Sequence, residues 1–304
     1  MSEIRTVLCP VDLTPLSHRC LRVAVDICRR FGARLVLHHN LENRPPGFMS
    51  VTWMWSEDHE ATEAKRFAEA PTEMESLFSS IPEGIEHEAR VTRGPLEESL
   101  LFVSRGLPAD LMVIASHGKS TSNHDSITER IVLQAPCGVV TIGEEYRPYQ
   151  ELDSASTIPA KSQHVLVPLE FSPRGLRVLD YLLKLAPEMP HRIDLLHVLS
   201  DIRELEQERR EVAAARKRLE SLVPENLAER VRFQIRVGDI GEQIQAAAAE
   251  GGARYILMGA HAKGMLKRLL FGTTTLSVLR NSNCPVWFVP ESEGVLSATT
   301  SSRS

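Results

Sequence analysis

The sequence predicts an α/β protein made of two copies of one doubly wound domain, and three observations carry that expectation. Short apolar runs alternate with stretches of helical periodicity, the alternation restarts halfway along the chain, and a polar segment containing Pro and Ser separates the halves. Alternating strands and helices joined by right-handed crossovers give a parallel sheet with helices on both faces.

In the first copy, residues 4–9 (IRTVLC) form a buried strand closed by the turn Pro10-Val11-Asp12-Leu13-Thr14-Pro15. Leu16–Phe31 places Leu21, Val25 and Cys28 at helical spacing, and Gly32 ends it. Arg34–His38 is the second strand, followed by a loop with Pro45, Pro46 and Gly47 and a helical stretch from about Asp58 to Ser80. Glu86–Val91, Leu111–Ala115 and Gly138–Ile142 complete five strands, with helices at Leu96–Ser104 and Ile127–Leu133 between them.

The same order then begins again. Residues 7–15 (VLCPVDLTP) match residues 165–173 (VLVPLEFSP) at a constant offset of 158. Arg34–His38 is echoed by Ile193–His197, and Ala135-Pro136-Cys137 by Ser282-Asn283-Cys284. A period near 150 residues marks a duplicated domain, because solenoid repeats are far shorter. The expected boundaries are a first domain at 1–143, a linker at 144–163, a second domain at 164–290 and a mobile tail at 291–304. Arg203–Leu222 is charged, but Leu205, Val212, Leu219 and Leu222 suggest a half-buried helix with a solvated face.

Composition narrows the function. With 304 residues, 42% apolar and 25% charged content, the chain has the profile of a globular protein of about two domains. A net charge of −5 argues against general nucleic-acid binding, which draws on a basic face. No apolar run approaches membrane-spanning length and no basic segment leads into a signal core, so a cytoplasmic protein with no membrane partner is expected. Cys9, Cys20, Cys28, Cys137 and Cys284 are odd in number and embedded in apolar runs, which predicts reduced, buried thiols and no zinc site.

The stretch Met258–Thr275 (MGAHAKGMLKRLLFGTTT) carries the chemistry. An apolar strand feeding a glycine turn, a loop with Lys263, Lys267 and Arg268, and then Gly272 opening a helix at Thr273, Thr274 and Thr275 is what a phosphate cradle requires. Glycine admits an anion to the backbone, and the helix start offers N–H groups and the positive end of its dipole. The competing reading makes Gly259 and Gly272 plain turn residues, Thr273 an N-cap and the cations a solvated face. Ligands of an open parallel sheet sit beyond the strand ends where the strand order reverses, which brings in Pro168, Leu169 and Glu170 in the second copy and Pro10, Val11 and Asp12 in the first. A carboxylate there can bind an adenine amino group or a ribose hydroxyl, or can brace the following helix. His117 and His261 occupy matching places, either as ligand contacts or as hydrogen-bonded packing residues.

These residues resemble the universal stress protein family in its tandem form. The resemblance rests on the openings VLCPVDLTPLSHRCLRVA and VLVPLEFSPRGLRVLDYL, on ADLMVIASHGK and ARYILMGAHAKGMLKRLLFGTTT, and on the closings APCGVVTI and SNCPVWFVP. It implies two Rossmann-like domains, each a five-stranded parallel sheet with helices on both faces, and a bound adenine nucleotide such as ATP or AMP, with Mg²⁺ or Mn²⁺ alongside. Nucleotide-binding members carry Gly, two residues, Gly, nine residues, then Gly followed by Ser or Thr. The second copy keeps Gly259, Gly272 and Thr273 but has Ala262 at the second glycine and Glu170 in place of the usual aspartate. Alanine weakens binding there only if the position needs positive φ or very close phosphate approach. The first copy has Ala115 for the first glycine, keeps Gly118, and offers Asn123, His124 and Asp125 in a loop three residues shorter. A carboxylate at Asp125 would repel a triphosphate.

The resemblance thus implies that the second domain holds the nucleotide through Pro168, Leu169, Glu170, Val198, Met258, Gly259, His261, Ala262, Gly272, Thr273, Thr274 and Thr275. The leading expectation is a non-catalytic stress or signalling protein, with a small-molecule nucleotide and unidentified proteins as partners. The alternative is a scaffold whose sites have decayed, in which Gly138–Ile142 and Val286–Val289 pair as a seam of an intrachain pseudo-dimer, or in a homodimer, and hide two sheet edges. The third is a slow ATP hydrolase using His261, Glu170 or Asp239, although the sequence has no Walker lysine, HxGH-like or Ser-His-Asp signature.

Overall fold

The structure, a computed structural model, describes residues 4–12, 14–41, 74, 77–116, 127–146, 164–189, 192–200, 204–260, 262–263 and 270–290, with the backbone alone at 262–263 and 270–271. The predicted Asp58–Ser80 helix falls mostly outside these residues, as do the linker and the tail. By internal contacts the chain divides into two compact units, one built on the residues up to Ile114 with Gln134–Cys137, the other on Ala115–Leu133 and Gly138–Glu293.

The first unit holds β1 (Thr6–Pro10), α1 (Pro15–Phe31), β2 (Arg34–Leu41), β3 (His87–Arg93), α2 (Leu96–Gly106) and most of β4 (Leu111–Ser116). Its strands run parallel in the order β3-β2-β1-β4. Helix α1 begins where Thr14 accepts a hydrogen bond from the Ser17 amide, and ends where Gly32 turns left-handed at φ 64°.

His38 on β2 is fully buried, 2.8 Å from Thr92 Oγ1, which itself donates to Asn40. Burial foremost, and His39 beside it, push its pKa down from 6.5 to about 4. The imidazole is therefore neutral in the fold and takes up a proton on unfolding, so its contribution is complete above pH 6.5 and is lost as the pH falls toward 4. The urea midpoint should drop over that window, and His38→Gln should flatten the drop.

The second unit contains α3 (Ile127–Gln134, shared with the first at its end), β5 (Gly138–Gly143), β6 (His164–Pro168), α4 (Pro173–Leu185), β7 (Arg192–Leu199), α5 (Leu205–Leu222), β8 (Val231–Val237), α6 (Ile240–Gly251), β9 (Tyr255–Gly259), the short β10 (Ala262–Lys263) and β11 (Leu270–Phe271), α7 (Thr273–Asn281) and β12 (Val286–Val289). Five strands run parallel in the order β12-β9-β6-β7-β8. Strand β5 lies against β12 antiparallel, Val286 opposite Thr141 and Phe288 opposite Val139, so the predicted pairing of these two stretches is present and the β12 edge is covered. Right-handed crossovers place α4 and α5 on one face and α6 and α7, which pack together, on the other.

Two sequence expectations change. The second strands of the two copies align one residue from the predicted echo: β1 pairs Thr6 with Arg34, and β6 pairs His164 with Arg192, so Val36 corresponds to Asp194 and His39 to His197. Matching apolar letters slid the alignment because Asp194 interrupts the run, and one residue of slip exchanges the faces of a strand. Helix α5 is also more exposed than its leucines suggested, since Leu205 is 79% exposed and only Ala215 and Leu219 are buried. All five cysteines are free and buried, and burial raises the Cys20, Cys28, Cys137 and Cys284 thiols to about 12, so none is a thiolate at neutral pH.

Candidate functional site

Strand β6 lies between β7 and β9, so the chain leaves β6 toward one side of the sheet and β9 toward the other. The crevice beyond their carboxyl ends is the reversal point at which such sheets take ligands. The loop after β6 carries Leu169, buried, and Glu170, exposed, with Pro168 closing the strand. Leu169 N–H donates to the Leu196 carbonyl (2.8 Å), and His197 Nδ1 lies 2.8 Å from the Leu169 carbonyl. The first copy repeats both contacts, Val11 N–H to the His38 carbonyl and His39 Nδ1 to the Val11 carbonyl, each at 2.8 Å. The neighbouring strand's histidine thus braces this loop in both copies.

The two carboxylates also play a shared local part. Glu170 Oε1 accepts from Ser172 Oγ (2.6 Å), and Ser172 caps α4 by accepting from Gly175 N–H (3.1 Å). Asp12 Oδ1 accepts from Thr14 Oγ1 (2.6 Å) and Thr14 N–H (3.1 Å), and Thr14 caps α1. Although burial opposes it, hydrogen bonds from Thr14 and Ser17 hold Asp12 below the usual carboxylate value. Bracing the helix cap, one of the two roles read from the sequence, is realised in both copies.

On the other side of the crevice, β9 ends in buried Met258 and half-buried Gly259. A small antiparallel hairpin follows, Ala262 opposite Phe271 and Lys263 opposite Leu270. The pairing brings Ala262 beside the residue that precedes Gly272 and the start of α7, although nine residues separate Ala262 from Gly272. Ala262 has extended backbone and no positive φ, which alanine adopts without strain. Its conformation therefore does not demand the missing glycine. Gly272 is buried at the N-cap with φ −64° and offers no side chain to the first turn, in contrast with Thr14, Ser172 and Asp239 at the starts of α1, α4 and α6. Thr273 is exposed, Thr274 half-buried and Thr275 buried. Val198 is half-buried near the end of β7, next to His197. His261, and His117 with the first copy's loop at 117–126, lie outside the described residues. In that copy Thr128 Oγ1 donates to the Ala115 carbonyl (3.1 Å), tying α3 back to the end of β4.

Sequence reasoning missed three side chains here. The Phe171 ring lies 4.3 Å from the His197 ring, and the Arg218 guanidinium of α5 sits 4.3 Å over the Phe171 ring while Nη2 donates to the Phe171 carbonyl (3.3 Å). The histidines were visible at the offset of 158 once the strand register is right, but nothing in the sequence placed Arg218 above Phe171.

Two doubly wound copies in one chain, with a glycine-opened helix at the reversal point of the second, define a tandem α/β protein of the doubly wound class. The model of the universal stress protein family matches residues 3–143 and again 161–290. The chain belongs to the universal stress protein family. Among solved structures it is similar to a universal stress protein from Archaeoglobus fulgidus (18% identity, 96% of this chain and 98% of that one, TM-score 0.62). It is also similar to two proteins from Pseudomonas aeruginosa, one described as a universal stress protein (15% identity, 94% and 93% coverage, TM-score 0.60) and one of unknown function (15%, 94% and 92%, TM-score 0.58). At these identities the likeness is one of fold. A search of curated sequences gave no significant match. No helix among the described residues is long and apolar enough to cross a membrane.

Proposed function

We propose that the second copy binds an adenine nucleotide, ATP or AMP, without catalysis, and that the protein passes this on as a stress or signalling response. The observation carrying the reading is the start of α7: a buried glycine, bare of any capping side chain, follows a hairpin that returns it to the end of β9 at the reversal point. The first-turn amides and the Thr273 and Thr274 hydroxyls are the groups that would hold phosphate, the Glu170 loop and Val198 those that would meet base and ribose. The extended backbone at Ala262 supports the fit, since the departure from the family's glycine is one that alanine tolerates. Mg²⁺ or Mn²⁺ would accompany a polyphosphate.

At a hundredfold excess over Kd, nucleotide should stabilise the protein by about 2.7 kcal/mol, a melting shift of roughly 5–10 °C. Gly272→Val should abolish that shift while leaving the melting point of the free protein within a few degrees. Absence of any shift with ATP, ADP or AMP, with and without Mg²⁺ or Mn²⁺, rules the reading out. Ala115 in place of the first glycine and the carboxylate of Asp125 favour a first copy that holds no nucleotide, so titration should give one site per chain.

A further inference from the structure

The crevice has a second wall that the family pattern does not include. Beside Gly259 and Ala260 lies a small cleft closed by Val289 and Pro290 at the end of β12 and by Arg174, Arg177 and Val178 of α4, with room of about 10 Å³, close to that of a single water. Arg174 is exposed and Arg177 half-buried, and neither is in an ion pair among the described residues. The nearest carboxylates along the chain are otherwise placed: one Glu170 oxygen accepts from Ser172, and Asp180 is exposed one turn beyond Arg177. The cleft is thus lined by two arginines of one helix on one side and by strand ends with little side-chain bulk on the other.

The first copy gives the contrast. At the same offset Arg174 corresponds to Leu16, which is 6% exposed and belongs to the core, and Arg177 to Arg19. One copy fills the position with a buried apolar side chain, the other with a second arginine that lines the cleft. Two arginines three residues apart lie on one face of a helix and repel each other unless an anion lies between them, and planar N–H forks suit oxyanions with several acceptor oxygens.

We infer that Arg174 and Arg177 form an oxyanion subsite on the α4 side of the sheet, in which the cleft takes one oxygen of a phosphate group that itself lies outside it. The inference rests on the nucleotide reading for its most specific form, in which the phosphate is that of the nucleotide. The shared chemistry is a phosphate oxyanion, and a free polyphosphate would satisfy it as well. The pair then sets the preference for nucleotides with longer phosphate chains over adenosine.

The test is calorimetric titration of the full chain with ATP, AMP, adenosine and inorganic tripolyphosphate, on the wild type, Arg174→Ala/Arg177→Ala and Arg174→Lys/Arg177→Lys. The alanine pair should weaken ATP at least tenfold, about the loss of one charge-assisted contact, leave adenosine within twofold and collapse the ATP-to-AMP ratio. The lysine pair should recover part of the loss, because charge is kept and the fork is not. Circular dichroism and melting of each variant separate a binding loss from misfolding. Unchanged ATP affinity in the alanine pair overturns the subsite and leaves the nucleotide reading standing. Tripolyphosphate binding that the alanine pair abolishes, with no binding of AMP or adenosine, keeps the subsite and removes the nucleotide. A wild type that binds neither anion nor nucleotide sinks both.

Discussion

Asp194→Ala is expected to destabilise the second unit by about 3–5 kcal/mol, the usual cost of removing one partner from a buried charge cluster. Asp194 is 1% exposed in the middle of β7 and is held from three directions. Arg192 Nε lies 2.9 Å from Oδ1, Gln234 Nε2 donates to Oδ2 (2.9 Å), and the equally buried His164 Nε2 stands 3.7 Å away. Alanine would strand the buried histidine, with its desolvation uncompensated, and the half-buried arginine beside a cavity. The first copy shows the apolar solution to the same place: Val36 stands for Asp194 and Thr6 for His164, and Arg34 Nε donates to Thr6 Oγ1 (3.1 Å). The double change His164→Thr/Asp194→Val should therefore recover at least about half of the loss, since a well-packed apolar replacement often matches a buried ion pair. Urea unfolding of the three proteins decides it, and a single variant as stable as the wild type would show the cluster to be energetically idle.

Gly175→Ala is the second large effect. Gly175 is buried in the first turn of α4, and a Cβ there would collide with the Glu170 carbonyl oxygen and come within 2.9 Å of the Glu170 carbonyl carbon and Cγ. Backbone cannot yield as a side-chain tip does, so the loop after β6 must move or the helix start must fray. A cost of about 2–3 kcal/mol is expected from overpacking of this kind. Because the displaced residue is Glu170, nucleotide affinity should fall with it, by more than the change in stability alone would cause in a protein still folded at the assay temperature. Gly106→Ala is the control: it lies at the end of α2 with nothing within 4 Å of the added carbon, and should be neutral or stabilising by up to about 1 kcal/mol. Equal effects at the two glycines would mean that helix propensity, not the Glu170 contact, governs the site.

Both sites sit where copies of one ancestral pattern differ, and that decides how much of each was legible beforehand. Alternation of apolar runs with helical periodicity located β1, β2, β4 to β7 and most helices, because burial against a sheet imposes a period that letters record. Ends moved by a residue or two, as with β3, which runs His87–Arg93 rather than from Glu86 to Val91. The loop of the candidate site was legible for the same reason in part: Gly259, Gly272 and the threonines are spaced by what a turn and a helix start need. The bracing by His197 was hidden by the one-residue slip that Asp194 caused, since an aspartate inside a strand reads as an interruption until its buried partners are known.

By itself the sequence determined the local and the repeated: most strands, helices and turns, the duplication, and the family. Tertiary structure alone decided what meets across distance. It set His164, Arg192 and Gln234 around Asp194, laid Arg218 over Phe171, and put Arg174 and Arg177 along one cleft with the end of β9. The reason is physical: periodicity and turn chemistry are properties of neighbours in the chain, whereas desolvation and ion pairing depend on which surfaces the sheet order brings face to face.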